Sequence, residues 1–264
     1  MSRQLVLITG ATGHIGYQVL LKALDAGYNV RVTVRSKERM DTLLATKSLK
    51  PWEARLSFVT VPDMTASGAY DEAIQGANYV IHLASPLFED DLKPSEFEKH
   101  LLQPAVQGTL GILEAAKRSP EIKRVVITSS ILALVPWGVV IGGSGDIITT
   151  KSRTANPNFP TINHPFEAYC ASKIIAFNKT EEWIRNENPS FDVVHINPSY
   201  VLGRDELRNT PELLLGHGTN RIVLSVALGL KNEDPMANCT VHVDDVARAH
   251  VESLNPKIPG NAVY

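Results

Sequence analysis

The amino-acid sequence predicts an α/β fold: a doubly wound parallel sheet with helices on both faces and a small C-terminal substrate-binding region. Three observations carry this. An apolar run, Leu5-Val6-Leu7-Ile8-Thr9, enters the glycine-spaced turn Gly10-Ala11-Thr12-Gly13-His14-Ile15-Gly16, and the turn enters a helix. Short β-branched runs then alternate with helical stretches, as in crossover-connected parallel strands. Beyond the fifth such run, Tyr169 and Lys173 open a further helix. The arrangement is Rossmann-type. Residues 1–197 form the nucleotide-binding domain, and 198–264 are mainly substrate-binding, with 238–254 returning to the core.

In the first unit, Gly10 lets the chain turn without a Cβ clash. Gly13 leaves room for a pyrophosphate against the backbone, and Gly16 lets the helix lie close on the sheet. The free N–H groups and the dipole at the helix start then face an anion. The spacing is GxxGxxG, against the commoner GxGxxG, and a glycine triplet alone also describes an ordinary turn. The helix over Tyr17–Leu24 places Ile15, Val19, Leu20, Ala23 and Leu24 on one face.

The second strand, Val30–Val34, ends at Arg35. An acid at this position would accept from a ribose 2′-hydroxyl; an arginine suits a 2′-phosphate. The planar fork of Arg35 matches phosphate, with Lys37 or Arg39 adding charge. The alternative is a solvated helix start. A helix closes over Leu43–Lys50, and Pro51 breaks it. Leu56–Val61 is the third strand, followed by Pro62-Asp63-Met64. Tyr70–Gln75 is a short helix ended by Gly76. Tyr79–Ala84 is the fourth strand, stopped by Ser85-Pro86, and its small terminal residues let a cofactor approach.

Ser95–Lys117 is a long helical stretch that Pro104 kinks or splits. Lys123–Thr128 is the fifth strand and leads into Ser129-Ser130. Residues from Pro136 to Pro165 read as a loop at a strand's carboxyl end, where ligand contacts belong. A helix runs from Glu167 to about Asn186, and Phe191–Ile196 is the sixth strand. Helices follow around Pro211–Leu215 and Ile222–Leu230, then a strand over Thr240–Val243. Asp244 is the expected N-cap of a helix over Asp245–Leu254.

Tyr169 and Lys173, four apart on a helix, share a face. A phenol titrates near pH 10 unperturbed. A neighbouring ammonium favours the phenolate, which makes an acid or base usable near neutral pH. Ser130 at the sheet's carboxyl edge can hold a carbonyl oxygen while Tyr169 protonates it. Ser129 is the near alternative, and plain turn chemistry is a third reading.

The motifs Thr9–Gly16, Thr128-Ser129-Ser130, Tyr169-Cys170-Ala171-Ser172-Lys173, Asn197-Pro198-Ser199 and Val241–Ala247 resemble, in order, an extended short-chain dehydrogenase/reductase. The nearest flavour is that of dihydroflavonol 4-reductase, cinnamoyl-CoA reductase and the fungal ketone and methylglyoxal reductases. The resemblance implies NADP(H) as cofactor. Gly10, Thr12, Gly13, His14, Ile15 and Gly16 would bind its pyrophosphate, and Arg35 with Lys37 its 2′-phosphate. Asp63 and Met64 would contact adenine, Leu83, Ala84 and Ser85 would line the ribose, and Thr128 would lie beside the nicotinamide ribose. Pro198, Ser199 and Val201 would pack near the nicotinamide. Tyr169 would be the acid/base, Lys173 would lower its pKa and hold the ribose hydroxyls, and Ser130 would hold the carbonyl. Ala105 stands where many members carry an asparagine that completes a proton relay. Members also run further than Tyr264, with a tail that helps close the pocket, so an open pocket or a shortened chain is expected.

The implied activity is NADPH-dependent reduction of an aldehyde or ketone to an alcohol. Two rivals are a nucleotide-sugar epimerase/dehydratase of the same superfamily, against which Arg35 speaks, and a non-catalytic NADP-binding protein. A net charge of −2 argues against a nucleic-acid or anionic-membrane surface. No stretch reaches transmembrane length, and the first strand begins too early for a signal peptide. Two cysteines suit a reducing compartment, so a cytoplasmic monomer or homodimer is expected. None of the eight histidines has metal-ligand spacing, so no metal is expected. His82, His195 and His242 read as strand residues making local hydrogen bonds. Trp137 and Phe88 are either pocket aromatics or loop anchors, and Cys170 is a packed helix residue.

Overall fold

The computed structural model describes residues 3–87, 91–142, 147–216, 218–230 and 239–264. The strands are β1 (Leu5–Thr9), β2 (Asn29–Val34), β3 (Leu56–Thr60), β4 (Tyr79–His82), β5 (Arg124–Thr128), β6 (Asp192–Ile196), β7 (Tyr200–Leu202), β8 (Thr240–His242) and β9 (Ala262–Val263). The helices are α1 (His14–Asp25), α2 (Lys37–Leu44), α3 (Gln103–Lys117), α4 (Trp137–Gly142), α5 (Pro165–Glu187), α6 (Pro211–Gly216), α7 (Asn220–Ala227) and α8 (Val243–Glu252). Seven strands form one parallel sheet in the order β3-β2-β1-β4-β5-β6-β9, and β7 pairs with β8 beside it.

The strands are buried on both faces, so they read as continuous apolar runs. Val6, Ile8, Ile81, Val126 and Val194 point to one face and pack with Val19 and Leu20 of α1 and Ala247 and Val251 of α8. Leu7, Val80, Val125, Ile127 and Val193 point to the other, against Ile112 and Leu113 of α3 and Trp183 of α5. Each fully buried aliphatic side chain contributes about 1.5–3 kcal/mol through its burial. The strand order reverses between β1 and β4, and ligands of open parallel sheets bind at the carboxyl ends of such a switch point.

Several expected elements change. The helix expected over Leu43–Lys50 lies earlier, at Lys37–Leu44; Pro51 does not end it but starts a 3₁₀ turn over Lys50–Arg55, where its missing N–H costs nothing. Tyr70–Gln75 forms successive turns, not a helix, with Tyr70 driven fully into the core. The Ser95–Lys117 stretch splits as expected: Pro104 lies in the first turn of α3, behind a wider π turn over Glu98–Leu102. The Pro136–Pro165 segment contains α4 and a 3₁₀ turn over Phe159–Thr161. The cap of α8 is His242, whose Nδ1 accepts from the Asp244 N–H at 3.2 Å; Asp244 and Asp245 instead complement the helix dipole in the first turn. The sequence pattern also misses β9. Two residues are too few for a periodic signal, yet the Tyr264 N–H donates to the His195 carbonyl and the Asn197 N–H to the Tyr264 carbonyl, so the sheet gains an edge strand.

Candidate active site

The turn after β1 is a cradle that side chains would fill. Gly10 has φ +75°, and a Cβ there would lie 2.6 Å from the Ala84 nitrogen at the exit of β4. A Cβ on Gly16 would overlap the Gly10 carbonyl. Gly13 is the N-cap of α1 and offers no side chain to its first amides; its own N–H donates to the Gly10 carbonyl at 3.1 Å, so Thr12, His14 and Ile15 are the backbone donors left to an anion among the described residues. The His14 ring lies near Asp205, Arg208 and the backbone of Gly203 and Arg204. Arg35 is exposed just beyond β2, with no hydrogen bond or ion pair among the described residues, and Lys37 begins α2 beside it. Asp63 accepts from the Thr65 amide at 2.8 Å and its hydroxyl at 2.6 Å, which holds the carboxyl below its usual range. Met64 packs its Cε against Gly108 of α3. Backbone amides at a bare helix start and an unpaired guanidinium one strand over are the donor set a phosphorylated dinucleotide needs.

Tyr169 and Lys173 lie across this cleft on α5. His164 caps the helix by accepting from the Phe166 N–H at 3.2 Å, and Pro165 takes the first position. One turn on, the Phe166 ring stacks on Tyr169 with centroids 6.3 Å apart, and Trp137 of α4 meets Phe166 edge-on at 5.9 Å. Trp137 thus joins an aromatic row leading to Tyr169; Phe88 lies outside the described residues. Lys173 is 7% exposed, donates to Ser85 Oγ at 2.7 Å, and stands 5.3 Å from the Tyr169 ring centroid.

One electrostatic expectation needs correction. Lys173 does not bring the Tyr169 phenol down in this arrangement. Burial pushes the phenol above its ordinary value, with Cys170 and Tyr200 adding to the shift. Burial also lowers Lys173, to about 8. The ammonium lies over the ring and is committed to Ser85, so desolvation of the phenolate outweighs it. Tyr169 is therefore held in its proton-carrying form.

At the end of β5, pairing with β6 continues through Ser129 N–H to the Ile196 carbonyl at 2.8 Å and Ile131 N–H to the Pro198 carbonyl at 3.0 Å. Ser130 Oγ accepts from the Leu132 N–H at 3.2 Å, which fixes the oxygen and leaves its own proton to donate. The Thr128 hydroxyl is spent on His250 Nε2 at 2.7 Å. Val201 is buried with Val243, Val246 and Ile15 beneath the glycine turn, and Ser199 precedes β7. Burial pushes the Cys170 thiol up to about 12, as suits a packed residue.

Residues 6–263 match the NAD dependent epimerase/dehydratase family. The chain belongs to that family. The ketoreductase CTB6 of Cercospora beticola is 40% identical over 269 residues, spanning 100% of this chain and 75% of its own length. Gre2 of Candida albicans, solved with NADPH, superposes with a TM-score of 0.84 at 31% identity, covering 98% of this chain and 77% of that one. The yeast methylglyoxal/isovaleraldehyde reductase Gre2, also solved with NADPH, gives 0.83 at 26% identity over 98% and 77%.

In this member of the epimerase/dehydratase family a cavity of about 20 Å³ lies beside Lys173. Ser85, Thr109, Ser129 and Lys173 line it, and so do His82 and His195, both 2% exposed. Ala105 is part of its wall. The expectation that His82 and His195 simply make local hydrogen bonds holds only in part. His82 Nδ1 meets Thr9 Oγ1 at 2.9 Å, but its Nε2 has no partner among the described residues, nor does Nε2 of His195. The available signal was their place: each follows an apolar strand run at the carboxyl edge.

Proposed function

We propose that this chain is an NADPH-dependent reductase that converts an aldehyde or ketone to an alcohol by reversible hydride transfer. The observation that carries it is the neutral phenol of the half-buried Tyr169, one helical turn from a lysine pinned to Ser85, at the strand exit that the Gly10 turn abuts. The Thr12, His14 and Ile15 amides would hold the pyrophosphate, with Gly13 leaving it room, Arg35 and Lys37 the 2′-phosphate, and Asp63 and Met64 the adenine side. When bound, the cofactor supplies the hydride. Tyr169 gives its proton to the substrate oxygen, and Ser130 donates a hydrogen bond to that oxygen. Lys173 carries positive charge beside the phenol and compensates the phenolate left behind. Trp137 and Phe166 favour a substrate with an apolar or aromatic part.

No helix among the described residues is long and apolar enough to cross a membrane. Cys170 and Cys239 are unpaired, which supports a reducing, cytoplasmic setting for a monomer or homodimer acting on a small molecule. The test is a panel of aldehydes and ketones with NADPH, followed by loss of its absorbance. Turnover that is lost in Tyr169→Phe while NADPH still binds is the expected result. Tight NADPH binding with no turnover across the panel would instead make the chain a cofactor-binding protein.

A further inference from the structure

His82, Ile127 and His195 are cross-strand neighbours on β4, β5 and β6 and stand in one row on the α3/α5 face. Two strand spacings separate the imidazoles, about 10 Å. The cavity beneath α3 and α5 is lined by all three residues of this row and by Lys173. A water needs roughly 10–15 Å³ of such space and two to four polar partners, and about 20 Å³ is present.

The hydrogen bonds around His82 favour one tautomer, the one that leaves the threonine proton used. Thr9 Oγ1 already accepts from the Ala84 N–H at 3.1 Å. The arrangement that satisfies all three atoms has the threonine proton on His82 Nδ1, 2.9 Å away. The remaining imidazole proton is then on Nε2, a buried donor facing the cavity without a protein acceptor. Leaving such a donor unpaired costs about 1–3 kcal/mol. Lys173 has a matching need. An ammonium has three donors, and Ser85 takes one.

We propose that His82 is a positioning residue for Lys173: it anchors a buried water that accepts from both His82 Nε2–H and the Lys173 ammonium. The hydroxyls of Thr109 and Ser129, on α3 and after β5, are within the same cavity to receive the water's protons. His82 is favoured over His195 as the anchor because the Lys173 charge acts on His82, whereas His195 answers to Arg153 and lies 4.0 Å from Glu181. The titratable groups facing Lys173 are thus His82 from β4, His195 from β6 and Tyr169 from its own helix; Ala105 and Thr109 of α3 and Thr128 and Ser129 at the end of β5 carry no charge. The water solvates the ammonium from behind, and so keeps it charged and aimed while Ser85 holds it from the cleft side.

The inference rests on Lys173 partnering Tyr169, but its test needs no turnover. The first readout is a high-resolution crystal structure of the wild-type protein, with an ordered water bonded to His82 Nε2 and Lys173 Nζ. The second is the NMR titration of Lys173 in the cofactor-free protein. His82→Leu is expected to lower its midpoint by about one unit, because a less solvated ammonium loses its proton sooner. His82→Gln places an amide donor where Nε2 was and is expected to restore the wild-type midpoint. His82→Asn keeps a group opposite Thr9 but not the cavity-facing one, so it should shift like Leu and serves if the Leu variant does not fold. A dry cavity, an unchanged midpoint in His82→Leu and His82→Asn, or a His82→Gln shift as large as theirs would each overturn the proposal. A protein that holds the water yet reduces no carbonyl would refute the reductase reading and leave this site standing.

Discussion

The two faces of the central sheet bury histidines in different ways. On the α1/α8 face, His250 is fully buried with both nitrogens engaged: Nδ1 to the Val246 carbonyl at 2.7 Å and Nε2 to the Thr128 hydroxyl at 2.7 Å. On the α3/α5 face, His82 and His195 are as deeply buried, yet each keeps an unpartnered Nε2. His250 stands on α8 and ties that helix to the end of β5, whereas His82 and His195 stand on strands and point into a cavity. A satisfied buried histidine is a structural tie, whereas an unsatisfied one beside a lysine carries a cost that packing does not recover. The proposed chemistry belongs to the face where polar groups are left open.

The sharpest way to break this contrast is to remove the acid on the open face. Tyr169→Phe keeps the ring stacked on Phe166 and deletes only the hydroxyl. A positioned acid is worth about 10²–10⁴ in rate, so kcat/KM should fall by that much, with NADPH affinity and thermal midpoint near wild type. Activity within threefold of wild type, about 0.65 kcal/mol, would show that another group protonates the substrate.

Next in size is the carboxyl edge between the faces. Arg35 has no partner among the described residues, so its charge is available to a 2′-phosphate. Hydrogen bonds to charged groups contribute about 1.5–3 kcal/mol, roughly tenfold to a hundredfold. Arg35→Leu should raise KM for NADPH by that factor and leave NADH kinetics unchanged. Equal losses with both cofactors would place the arginine outside the phosphate site.

The closed face should respond in stability. In His250→Leu the Thr128 hydroxyl loses its acceptor, and the Val246 carbonyl loses a second donor. Urea denaturation should show a loss of about 1–3 kcal/mol, with kcat per folded molecule preserved. If turnover fell while stability held, the Thr128–His250 tie would belong to the active site, and the two faces would not divide as described.

Much of this was readable in the residues. The glycine turn, the six long strands and the Tyr169/Lys173 pair each have a local signature: a backbone that only glycine permits, a β-branched run, a helical spacing. Arg35 is legible for the same reason, since it lies in sequence beside the strand that positions it. What escaped depends on distant partners. β9 is strand only because β6 offers it an edge. The Tyr169 pKa does not follow from sequence, because burial by Phe166 and its surroundings is set by tertiary packing, whereas the i, i+4 spacing shows only the lysine. Pro51 was read as a stop, yet its place at the start of a 3₁₀ turn follows from where β3 has to begin.

In one respect the two faces should behave alike, and pH tests it. Burial lowers His82 and His195 to about 3 and His250 to about 4, against about 6.5 in an unfolded chain. Because the folded values are depressed, the unfolded chain takes up protons first as pH falls. The stability these neutral imidazoles preserve is complete above about pH 6.5, declines below it, and is gone once the pH passes the folded values. Each group steepens the decline by up to about 1.4 kcal/mol per pH unit. Unfolding free energies measured by urea between pH 7 and pH 4.5 should therefore fall steeply in wild type. The slope should become shallower by about 1 kcal/mol per pH unit in His82→Gln and, to the same extent, in His250→Gln. A flattening in His250→Gln alone would mean that the open face admits the charged imidazole, because water in the cavity solvates it. The cavity would then be wetter than its dimensions imply, and the desolvation that keeps Tyr169 protonated would be weaker in proportion.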